Sequence, residues 1–594
     1  MIRKLLALSL TTTLILSGCG QGTVSTPPGN GNANTTPPPT PPTPTTAQAA
    51  IKHVVVIFDE NISFDHYFGT YPNAANTGGT TFTPATAATV AAATAAGTTS
   101  LPATPTNINN YVSNPTLLTA NPNLNSANNS TATSPVQNSV AANPFRLGPN
   151  QAATNDQDHS YQPEQLAFDN GKMDLFPYSV GTPNSATLTN QTAAPNIANT
   201  TALTMGYFDG NTVTAMWNYA QHYSMNDHSF GTTFGASTQG AINLVSGQTN
   251  GAVASAGAAG GVVADGQGGF TLVGDEDPTN DVCSSPTAVV QMQGKNIGDL
   301  LNTAGVSWGF FAGGFNLSIT NSNGTTGCLP NEATGSRATA AVNIPGNPLK
   351  SDYIPHHQPF QYYASTANPN HIRPASNAVI GTAADTGAGT ANHEYDVLDF
   401  ASVLAGTGGA VLPAVSFLKA PGYQDGHAGY SDPLDEQTWI VNTINAIEKS
   451  SYWANTAIII AYDDSDGWYD HVNNFVNGSQ SAADATGFCN SAPSLLGITG
   501  TTPVQGRCGY GPRLPLLVIS PWAKKNFVDN TVTDQSSVTR FIEDVFLGSA
   551  RIGGGSTDLS AGSLMSMFNF TSTVAPNPNV VVLNPTTGAV TSGN

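Results

Sequence analysis

The sequence predicts an α/β fold with a central, mostly parallel β-sheet flanked by helices. Several apolar, β-branched runs stop abruptly at polar or acidic residues, which is typical of strands buried on both faces of a parallel sheet. A stretch with helical spacing lies between two of these runs and completes a strand–helix–strand unit. The runs are HVVVIF (53–58), LPAVSFL (412–418), AIIIAY (457–462) and LPLLVIS (514–520).

The strand–helix–strand unit comprises a strand at 412–418, a helix at about 435–450 and a strand at 456–462. Its helix is predicted because isoleucines recur at the spacing of one helical face; they are Ile440, Ile444 and Ile447. Another helix is predicted after the candidate N-cap residues Ser536 and Ser537. The apolar face of that helix consists of Val538, Phe541, Ile542 and Val545.

Residues 1–19 have the pattern of a secretory signal peptide. Arg3 and Lys4 precede an apolar run that ends in Leu-Ser-Gly-Cys, and these four residues resemble the lipobox of bacterial lipoproteins. We therefore expect an exported protein with a lipid anchor on Cys19, held at a bacterial membrane and facing the periplasm or the cell exterior. The alternative is an ordinary cleaved signal that contains a cysteine, followed by secretion.

Low-complexity segments divide the rest of the chain. Residues 20–49 are rich in Pro, Thr and Gly, which predicts an extended linker. Residues 50–550 form the predicted globular domain, interrupted at about 74–150 by a low-complexity insertion of Ala, Thr, Asn and Ser. Residues 551–594 have the composition of a Gly/Ser/Asn-rich C-terminal tail.

The charge balance excludes one class of partner. Only 9% of the residues are charged, and 17 Lys and Arg against 37 Asp and Glu give a formal net charge of -20. Such an acidic chain argues against nucleic acid as a partner, because DNA and RNA are polyanions. After the signal peptide no apolar run reaches the roughly 18 residues of a membrane-spanning helix, so none is expected.

The cysteines predict disulfide bonds. Besides Cys19, four cysteines are present, an even number in an oxidising compartment. Three pairings are possible. Proximity in the sequence favours Cys283 with Cys328 and Cys489 with Cys508.

Two predicted strands carry acidic residues to the same edge of the sheet. Glu60 and Asn61 follow the first strand, and Asp463 and Asp464 follow the strand at 456–462. Ligands of open α/β sheets bind at the carboxyl ends of the strands. Crowded carboxylates repel one another unless a cation neutralises them, so these residues predict a divalent-metal site. The alternative for the run 463–466 is a solvated turn.

Five sequence blocks occur in a recognisable order. They are IKHVVVIFDENISFDHYFGTYP (51–72), FGTTFGASTQGAINLVSGQTNG (230–251), SDYIPHHQPFQYY (351–363), GYQDGHAGYSDPLDEQ running into IIIAYDDSDGWYDHV (422–472), and RLPLLVISPWAKKNFVDNTVTDQSSVTRFIEDVF (513–546). Together they resemble the bacterial phosphoesterase family that contains phospholipases C and acid phosphatase A. The resemblance implies that 50–550 is a phosphoesterase catalytic domain with an alkaline phosphatase-like fold, similar to that of arylsulfatases.

The resemblance also implies a metal site and a nucleophile. It assigns the ligands of one divalent metal ion to Glu60, Asn61, Asp463 and Asp464, the residues that the strand ends had indicated, together with the nucleophile Ser237. Oxygen ligands suit Ca, Mg or Mn, and Zn occurs in relatives of alkaline phosphatase. The sequence leaves the metal's identity open.

Two adjacent hydroxyls compete for the role of nucleophile. In the family, a Ser-Gly pair follows the nucleophile, and it corresponds here to Ser246-Gly247. Counting back from this pair without gaps places Ser237 at the position of the family's nucleophile, and Thr238 remains the alternative. Members of the family with a Thr nucleophile carry T-x-P-N-R, whereas this chain has Gln239, Gly240 and Ala241 in the last three positions. This departure resembles the acid phosphatase branch more than the phosphocholine-cleaving branch.

Four histidines are implied to line the phosphate pocket. They bind non-bridging oxygens or protonate the leaving group, a role that suits imidazole near neutral pH. A structural role is the alternative for each. The four are His159, His356, His357 and His427.

The sequence thus predicts a metal-dependent phosphoesterase, acid phosphatase-like, that acts through a phosphoseryl intermediate. The first alternative is a phospholipase C that cleaves phospholipid phosphodiesters near the membrane. The second is a surface lipoprotein that binds a ligand without turnover. Sulfate esters or phosphonates are disfavoured as substrates, since S-T-Q-G-A lacks the Pro and Arg of the C/S-x-P-x-R motif.

Overall fold

The computed structural model describes residues 46–72, 125–129, 142–183, 199–320, 327–328 and 351–592, apart from 256, 258–259, 474–477, 482, 486, 492–493, 573, 576 and 579. The predicted signal peptide with Cys19, nearly all of the linker and most of the insertion lie outside these residues. The described chain begins with a short helix, Thr46–Ala50, whose first four residues belong to the segment assigned to the linker.

An eight-stranded sheet forms the centre of the molecule. Its strands in chain order are β1 (His53–Asp59), β2 (Ser224–Asn226), β3 (Trp308–Ala312), β4 (Glu394–Asp396), β5 (Val415–Lys419), β6 (Thr456–Tyr462), β7 (Leu516–Ile519) and β8 (Phe527–Asp529). Their spatial order is β4-β3-β5-β1-β6-β7-β2-β8. The predicted α/β class with a mostly parallel central sheet is confirmed.

Strand β7 differs from the expected direction. It runs antiparallel to β6 and to β2, whereas the remaining neighbours in the sheet pair in parallel. All four residues of β7 are buried. An unbroken apolar run therefore indicates that a strand is buried on both faces of the sheet. It does not indicate the direction of the strand, because a central antiparallel strand is buried in the same way.

Helices flank the sheet. The longer ones are α1 (Tyr161–Phe168), α2 (Thr214–His222), α3 (Ser237–Ser246), α4 (Ile297–Ala304), α5 (Val397–Leu404), α6 (Pro433–Glu448) and α7 (Gln535–Phe546). Shorter helices span Phe64–Phe68 and Phe176–Ser179. Among the described residues, none of the helices combines the length and the apolar character needed to cross a membrane.

The two helices predicted from apolar spacing are present with shifted ends. Helix α6 begins at Pro433, because the side chain of Asp432 accepts hydrogen bonds from the backbone N–H groups of Leu434 and Asp435. Asp534 takes the N-cap position of α7, so Ser536 and Ser537, expected there, lie within the first turn.

A smaller, five-stranded sheet lies after α3 in the chain. In spatial order its strands are Val262–Ala264, Phe270–Leu272, Asn250–Ala254, Val289–Met292 and Asp277–Pro278. Three two-stranded pairs complete the described strands: Phe145–Arg146 with Gly206–Tyr207, Ser229–Phe230 with Thr533–Asp534, and Val582–Leu583 with Val590–Ser592. Both favoured disulfides, Cys283–Cys328 and Cys489–Cys508, are present, with Cα separations of 5.3 and 5.5 Å.

The C-terminal segment packs against the core, although its composition predicts a tail. Leu583 exchanges two backbone hydrogen bonds with the Asn445 side chain on α6, at 2.9 and 3.1 Å. The backbone N–H of Val581 donates to Glu448 Oε2 at 3.1 Å. Val581 and Leu583 are both 1% exposed. The described residues of 551–592 are thus part of the folded domain.

This packing predicts a stability cost for a change near the C-terminus. Leu583→Ala should lower the free energy of unfolding by about 2–5 kcal/mol, because it leaves a cavity against α6. Val590→Ala is the matched control: Val590 is 40% exposed, and its truncation should cost less than about 0.5 kcal/mol. Denaturant unfolding measures both, and equal stability of the two variants would contradict this packing.

Candidate active site

The carboxyl ends of β1 and β6 bring two acidic pairs together. The strands are in parallel register, with Asp59 opposite Tyr462, so the next residues of both strands leave the sheet side by side. These residues are Glu60, Asn61, Asp463 and Asp464, and all four are buried. The strand ends therefore gather the residues that the sequence had nominated as metal ligands.

Backbone geometry fixes the turn after β1. Asn61 has a left-handed φ of 58°, a conformation in which asparagine is several-fold enriched among non-glycine residues. Its backbone N–H donates to Asp463 Oδ1 at 3.1 Å, which joins the end of β1 to the end of β6. The backbone N–H of Asp464 donates to the same oxygen at 2.8 Å. Asp463 thus holds the two turns in one arrangement.

Helix α3 points its N-terminus at these turns. Ser237 is its first residue, and Ser237 Oγ lies 3.0 Å from Asp464 Oδ2, 3.2 Å from Glu60 Oε2 and 3.4 Å from Asn61 Oδ1. The close approach depends on Gly240, since a Cβ there would lie 2.1 Å from the carbonyl oxygen of Asp463. Glycine at 240 therefore lets α3 pack closely against the turn after β6.

The oxygens of this cluster suit a cation. Asn61 Oδ1 faces acceptors, at 2.7 Å from Glu60 Oε2 and 3.2 Å from Asp463 Oδ1. The reversed amide would donate to Glu60 Oε2 and Asp463 Oδ1 in a metal-free site, whereas a cation bound between the oxygens would favour the present orientation. Together with Ser237 Oγ and Asp464, the set supplies only oxygen ligands, as hard divalent cations require. The residues fit a metal ion.

The electrostatics of the cluster point the same way. Burial, together with repulsion from Asp463, raises the pKa of Glu60 well above its usual range, although Lys419 opposes the shift. Burial also raises the pKa of Asp464, with His159 opposing and Asp463 adding to the effect. Carboxylates that resist ionisation when left alone are those that gain most from a neighbouring cation.

Lys419 is a residue of this cluster that the sequence reasoning missed. It ends β5, is 4% exposed, and pairs with Glu60 Oε1, while its Nζ lies 3.9 Å from Asp463 Oδ2. His357 Nδ1 lies 3.1 Å from the same Glu60 oxygen. Glu60 therefore turns one oxygen to Ser237 and the other to two basic groups. A lysine at the end of a buried apolar strand was the available signal, because buried lysines are rare unless paired.

Thr238 is turned away from the cluster. Its backbone N–H and its hydroxyl both donate to Asp275 Oδ1, at 2.9 and 2.8 Å. Ser237 instead contacts the strand-end residues. Of the two adjacent hydroxyls, the geometry places Ser237 at the candidate metal site.

His159 and His427 flank the amide of Asn61. Asn61 Nδ2 lies 3.5 Å from His159 Nε2 and 2.9 Å from His427 Nε2. His159 Nδ1 lies 3.2 Å from Asp466 Oδ1 and 3.4 Å from Asp156 Oδ1. Burial opposes protonation of His159, but the carboxylates around it outweigh burial and raise its pKa well above the usual range.

The remaining two candidate histidines lie on the turn Pro355–His357. Their rings are in edge contact at 4.6 Å. His357 reaches Glu60, whereas His356 Nδ1 lies 3.3 Å from Asp277 Oδ1 and its side chain is 20% exposed. His357 thus belongs to the buried part of the cluster and His356 to its rim.

Glu164, on α1, is a second residue that the sequence reasoning missed. Its Oε2 accepts from the backbone N–H of Gly235, just before α3, at 2.8 Å. Its Oε1 accepts from Ser465 Oγ at 2.7 Å. Burial raises the pKa of Glu164 to about 7. The side chain ties the turn before Ser237 to the turn after β6, and no motif or spacing in the sequence signalled this link.

The family of the chain follows from a comparison with protein families. The model of the phosphoesterase family matches residues 51–547. The chain belongs to the phosphoesterase family. This match includes every residue of the strand-end cluster and of α3, so the site described above lies within the part of the chain that defines the phosphoesterase family.

Bacterial relatives share segments of this phosphoesterase chain. The non-hemolytic phospholipase C of Pseudomonas aeruginosa is 31% identical over 189 residues, 28% of this chain and 24% of that protein. Phospholipase C A of Mycobacterium tuberculosis is 26% identical over 166 residues, 27% of this chain and 30% of that protein. The chain thus matches about a quarter to a third of the length of these relatives.

Solved structures show weaker likeness. Murine ectonucleotide pyrophosphatase/phosphodiesterase 5 is 11% identical, with a TM-score of 0.28 over 60% of this chain and 95% of that one. The phosphonate monoester hydrolase of Silicibacter pomeroyi is 12% identical, with a TM-score of 0.26 over 60% of this chain and 71% of that one. Likeness at this level carries no argument about the phosphoesterase site.

Lys419 yields a prediction about the metal-free protein. Lys419→Met should lower its free energy of unfolding by about 3–5 kcal/mol, because Glu60 loses a buried partner. A saturating divalent cation should raise the melting temperature more in this variant than in the wild type, because the site becomes more negative.

The control for this change is Lys172→Met. Lys172 is 62% exposed and pairs with Asp169 on the surface, so its loss should leave the melting temperature close to that of the wild type. Thermal unfolding in chelator, and again with added cation, compares the proteins. A Lys419→Met melting curve that matches the control in chelator would contradict a buried Lys419–Glu60 pair.

Proposed function

We propose that this protein is a metal-dependent phosphoric ester hydrolase that acts through a phosphoseryl intermediate on Ser237. The observation that carries the proposal is the position of Ser237 Oγ, which lies 3.0–3.4 Å from oxygens of Glu60, Asn61 and Asp464 at the N-terminus of α3. Membership of the phosphoesterase family supports the same reaction class.

The strand-end residues would hold one divalent cation. Glu60, Asn61, Asp463, Asp464 and Ser237 are its proposed ligands. When bound, the cation supplies positive charge that lowers the pKa of the serine hydroxyl and offsets the charge of the phosphoryl oxygens. The oxygen ligands suit Ca, Mg or Mn, and Zn remains open.

The chain's own groups account for the two chemical steps. In the first, the Ser237 hydroxyl passes its proton to water and Oγ attacks phosphorus in line; the Oγ–P bond forms, the bond to the leaving oxygen breaks, and a histidine protonates that oxygen to give the alcohol. The positive end of the α3 helix dipole favours the negative charge that develops there. In the second, water cleaves the Oγ–P bond and releases phosphate. The proposed proton donors and phosphate-binding residues are His159, His356, His357 and His427.

We favour phosphate monoesters as substrates, with phospholipid diesters as the alternative. The STQGAINL sequence at the nucleophile supports the acid phosphatase-like assignment. The names of the bacterial relatives favour phospholipase C. A non-catalytic surface lipoprotein is disfavoured, because the proposed nucleophile and ligands lie together in a buried cluster.

Export places the proposed enzyme outside the cytoplasm. A lipid on Cys19 and the linker 20–49 would hold the domain near a membrane, where either substrate class could be reached. Cleavage without lipidation would release it instead. Both outcomes rest on the signal sequence alone.

The nucleophile is tested by paired substitutions at adjacent hydroxyls. Ser237→Ala should lower kcat for p-nitrophenyl phosphate by about 1,000-fold or more, because the attacking oxygen is lost. Thr238→Val, the matched control, keeps the backbone N–H bond to Asp275 and loses only the hydroxyl bond, so kcat should fall by about tenfold at most. Steady-state kinetics on the metal-loaded proteins provide the comparison. Activity retained in Ser237→Ala and lost in Thr238→Val would assign the nucleophile to Thr238.

A substrate panel tests the preferred ester. The panel contains p-nitrophenyl phosphate, bis(p-nitrophenyl) phosphate and phosphatidylcholine, each with chelated and with metal-restored protein. We expect kcat/KM for the monoester to exceed that for either diester by about tenfold or more, a difference of about 1.4 kcal/mol. Chelation should abolish all three reactions, and Ser237→Ala sets the background. Faster turnover of phosphatidylcholine would replace the monoesterase with a phospholipase C.

A further inference from the structure

An acidic loop of the smaller sheet reaches the N-terminus of α3. It leaves the strand Phe270–Leu272, carries Asp275 and Glu276, and ends at Asp277, the first residue of the strand Asp277–Pro278. The loop lies outside the five sequence blocks that resemble the phosphoesterase family. Its residues therefore have no role in the assignment of ligands, nucleophile or proton donors.

Asp275 holds the residue next to the proposed nucleophile. Its Oδ1 accepts from the backbone N–H of Thr238 at 2.9 Å and from Thr238 Oγ1 at 2.8 Å. Thr238 is fully buried, whereas Asp275 is exposed, so the two bonds give the buried donors of Thr238 an acceptor at the protein surface. The first N–H groups of a helix have no partner within the helix, and a carboxylate is a favourable acceptor for them. Asp275 thus fixes the first turn of α3.

We propose that Asp275 is a positioning residue that aims Ser237, and not Thr238, at the metal-binding oxygens. This inference rests on the proposed function of Ser237. Two hydroxyls follow one another at the start of α3, and about 100° of helical rotation separates them. By retaining Thr238 on the side of the smaller sheet, Asp275 leaves Ser237 Oγ directed towards Glu60 and Asp464.

The same loop contacts the rim of the site. Asp277 Oδ1 lies 3.3 Å from His356 Nδ1, and the hydroxyl of Tyr362 donates to the backbone oxygen of Glu276 at 2.6 Å. Three consecutive residues therefore connect the start of α3 to the histidine turn and the segment after it. The loop therefore contacts both the start of α3, next to the proposed nucleophile, and the side chain of His356.

Substitutions of Asp275 can distinguish the effect of its hydrogen bonds to Thr238 from the effect of its negative charge. Both bonds from Thr238 end on a single oxygen of Asp275, so asparagine at 275 could keep that acceptor while removing the negative charge. Alanine removes the acceptor, and glutamine displaces it by one methylene. The three substitutions therefore differ in whether Thr238 is still held.

The test compares Asp275→Ala, Asp275→Asn and Asp275→Gln with the wild type, using p-nitrophenyl phosphate and metal-loaded protein. Asp275→Ala and Asp275→Gln should lower kcat by about 10- to 100-fold with KM changed less than about threefold, because a small misplacement of the attacking atom affects the chemical step. Asp275→Asn should retain kcat within about threefold. Melting temperatures identify variants that lose activity through unfolding.

Several results would overturn the proposal. Wild-type kcat in Asp275→Ala would remove any positioning role, and a loss in Asp275→Asn equal to that in Asp275→Ala would assign the effect to charge. If the alanine variant does not fold, the contrast between asparagine and glutamine decides in the same way. Ser237→Ala is run in parallel: full activity there would refute the proposed function itself, whatever the Asp275 variants show.

Discussion

Repulsion among buried carboxylates is the constraint around which this molecule is organised. Parallel pairing of β1 with β6 forces Glu60, Asp463 and Asp464 into one buried cluster at the sheet edge. Like charges at this spacing in a medium of low dielectric are costly unless a cation or hydrogen-bond donors offset them. Lys419 offsets part of the cost from one side, and the remaining oxygens converge on Ser237, where a divalent cation would complete the balance.

Several local choices in the sequence follow from this constraint. The absence of a side chain at Gly240 lets α3 pack against the turn after β6, and the left-handed backbone of Asn61 turns its side-chain amide towards the carboxylates. Glu164 and Asp275 then fix the two ends of the segment 235–238 by accepting its N–H groups. The packing of α3 against the strand ends therefore also determines the direction of the Ser237 hydroxyl.

How much of this could be predicted depends on the range of each interaction. Strands β1 and β6 were predicted to within a residue, because unbroken apolar runs end at charged turns that mark the sheet edge. Strand β5 begins three residues later than expected, after Pro413, which cannot donate to a ladder. The antiparallel direction of β7 left no trace in its composition.

The site was predictable where residues follow strands, and unpredictable where partners come from elsewhere in the chain. Glu60, Asn61, Asp463 and Asp464 were found from the strand ends, and the resemblance added Ser237. Lys419, Glu164 and Asp275 lie in no motif, and only tertiary packing reveals their contacts. The packing of 551–592 was missed for the same reason, since a few apolar residues within a polar segment carry it.

Metal content tests the central claim most directly. The purified protein, equilibrated with divalent cation and freed of excess, should hold one tightly bound ion per chain by elemental analysis. Asp464→Asn should lose that ion while keeping the fold, because one carboxylate ligand disappears from a cluster that otherwise stays paired with Lys419. A wild-type chain that remains fully active without bound metal, or an Asp464→Asn chain that retains the ion with unchanged affinity, would contradict the account.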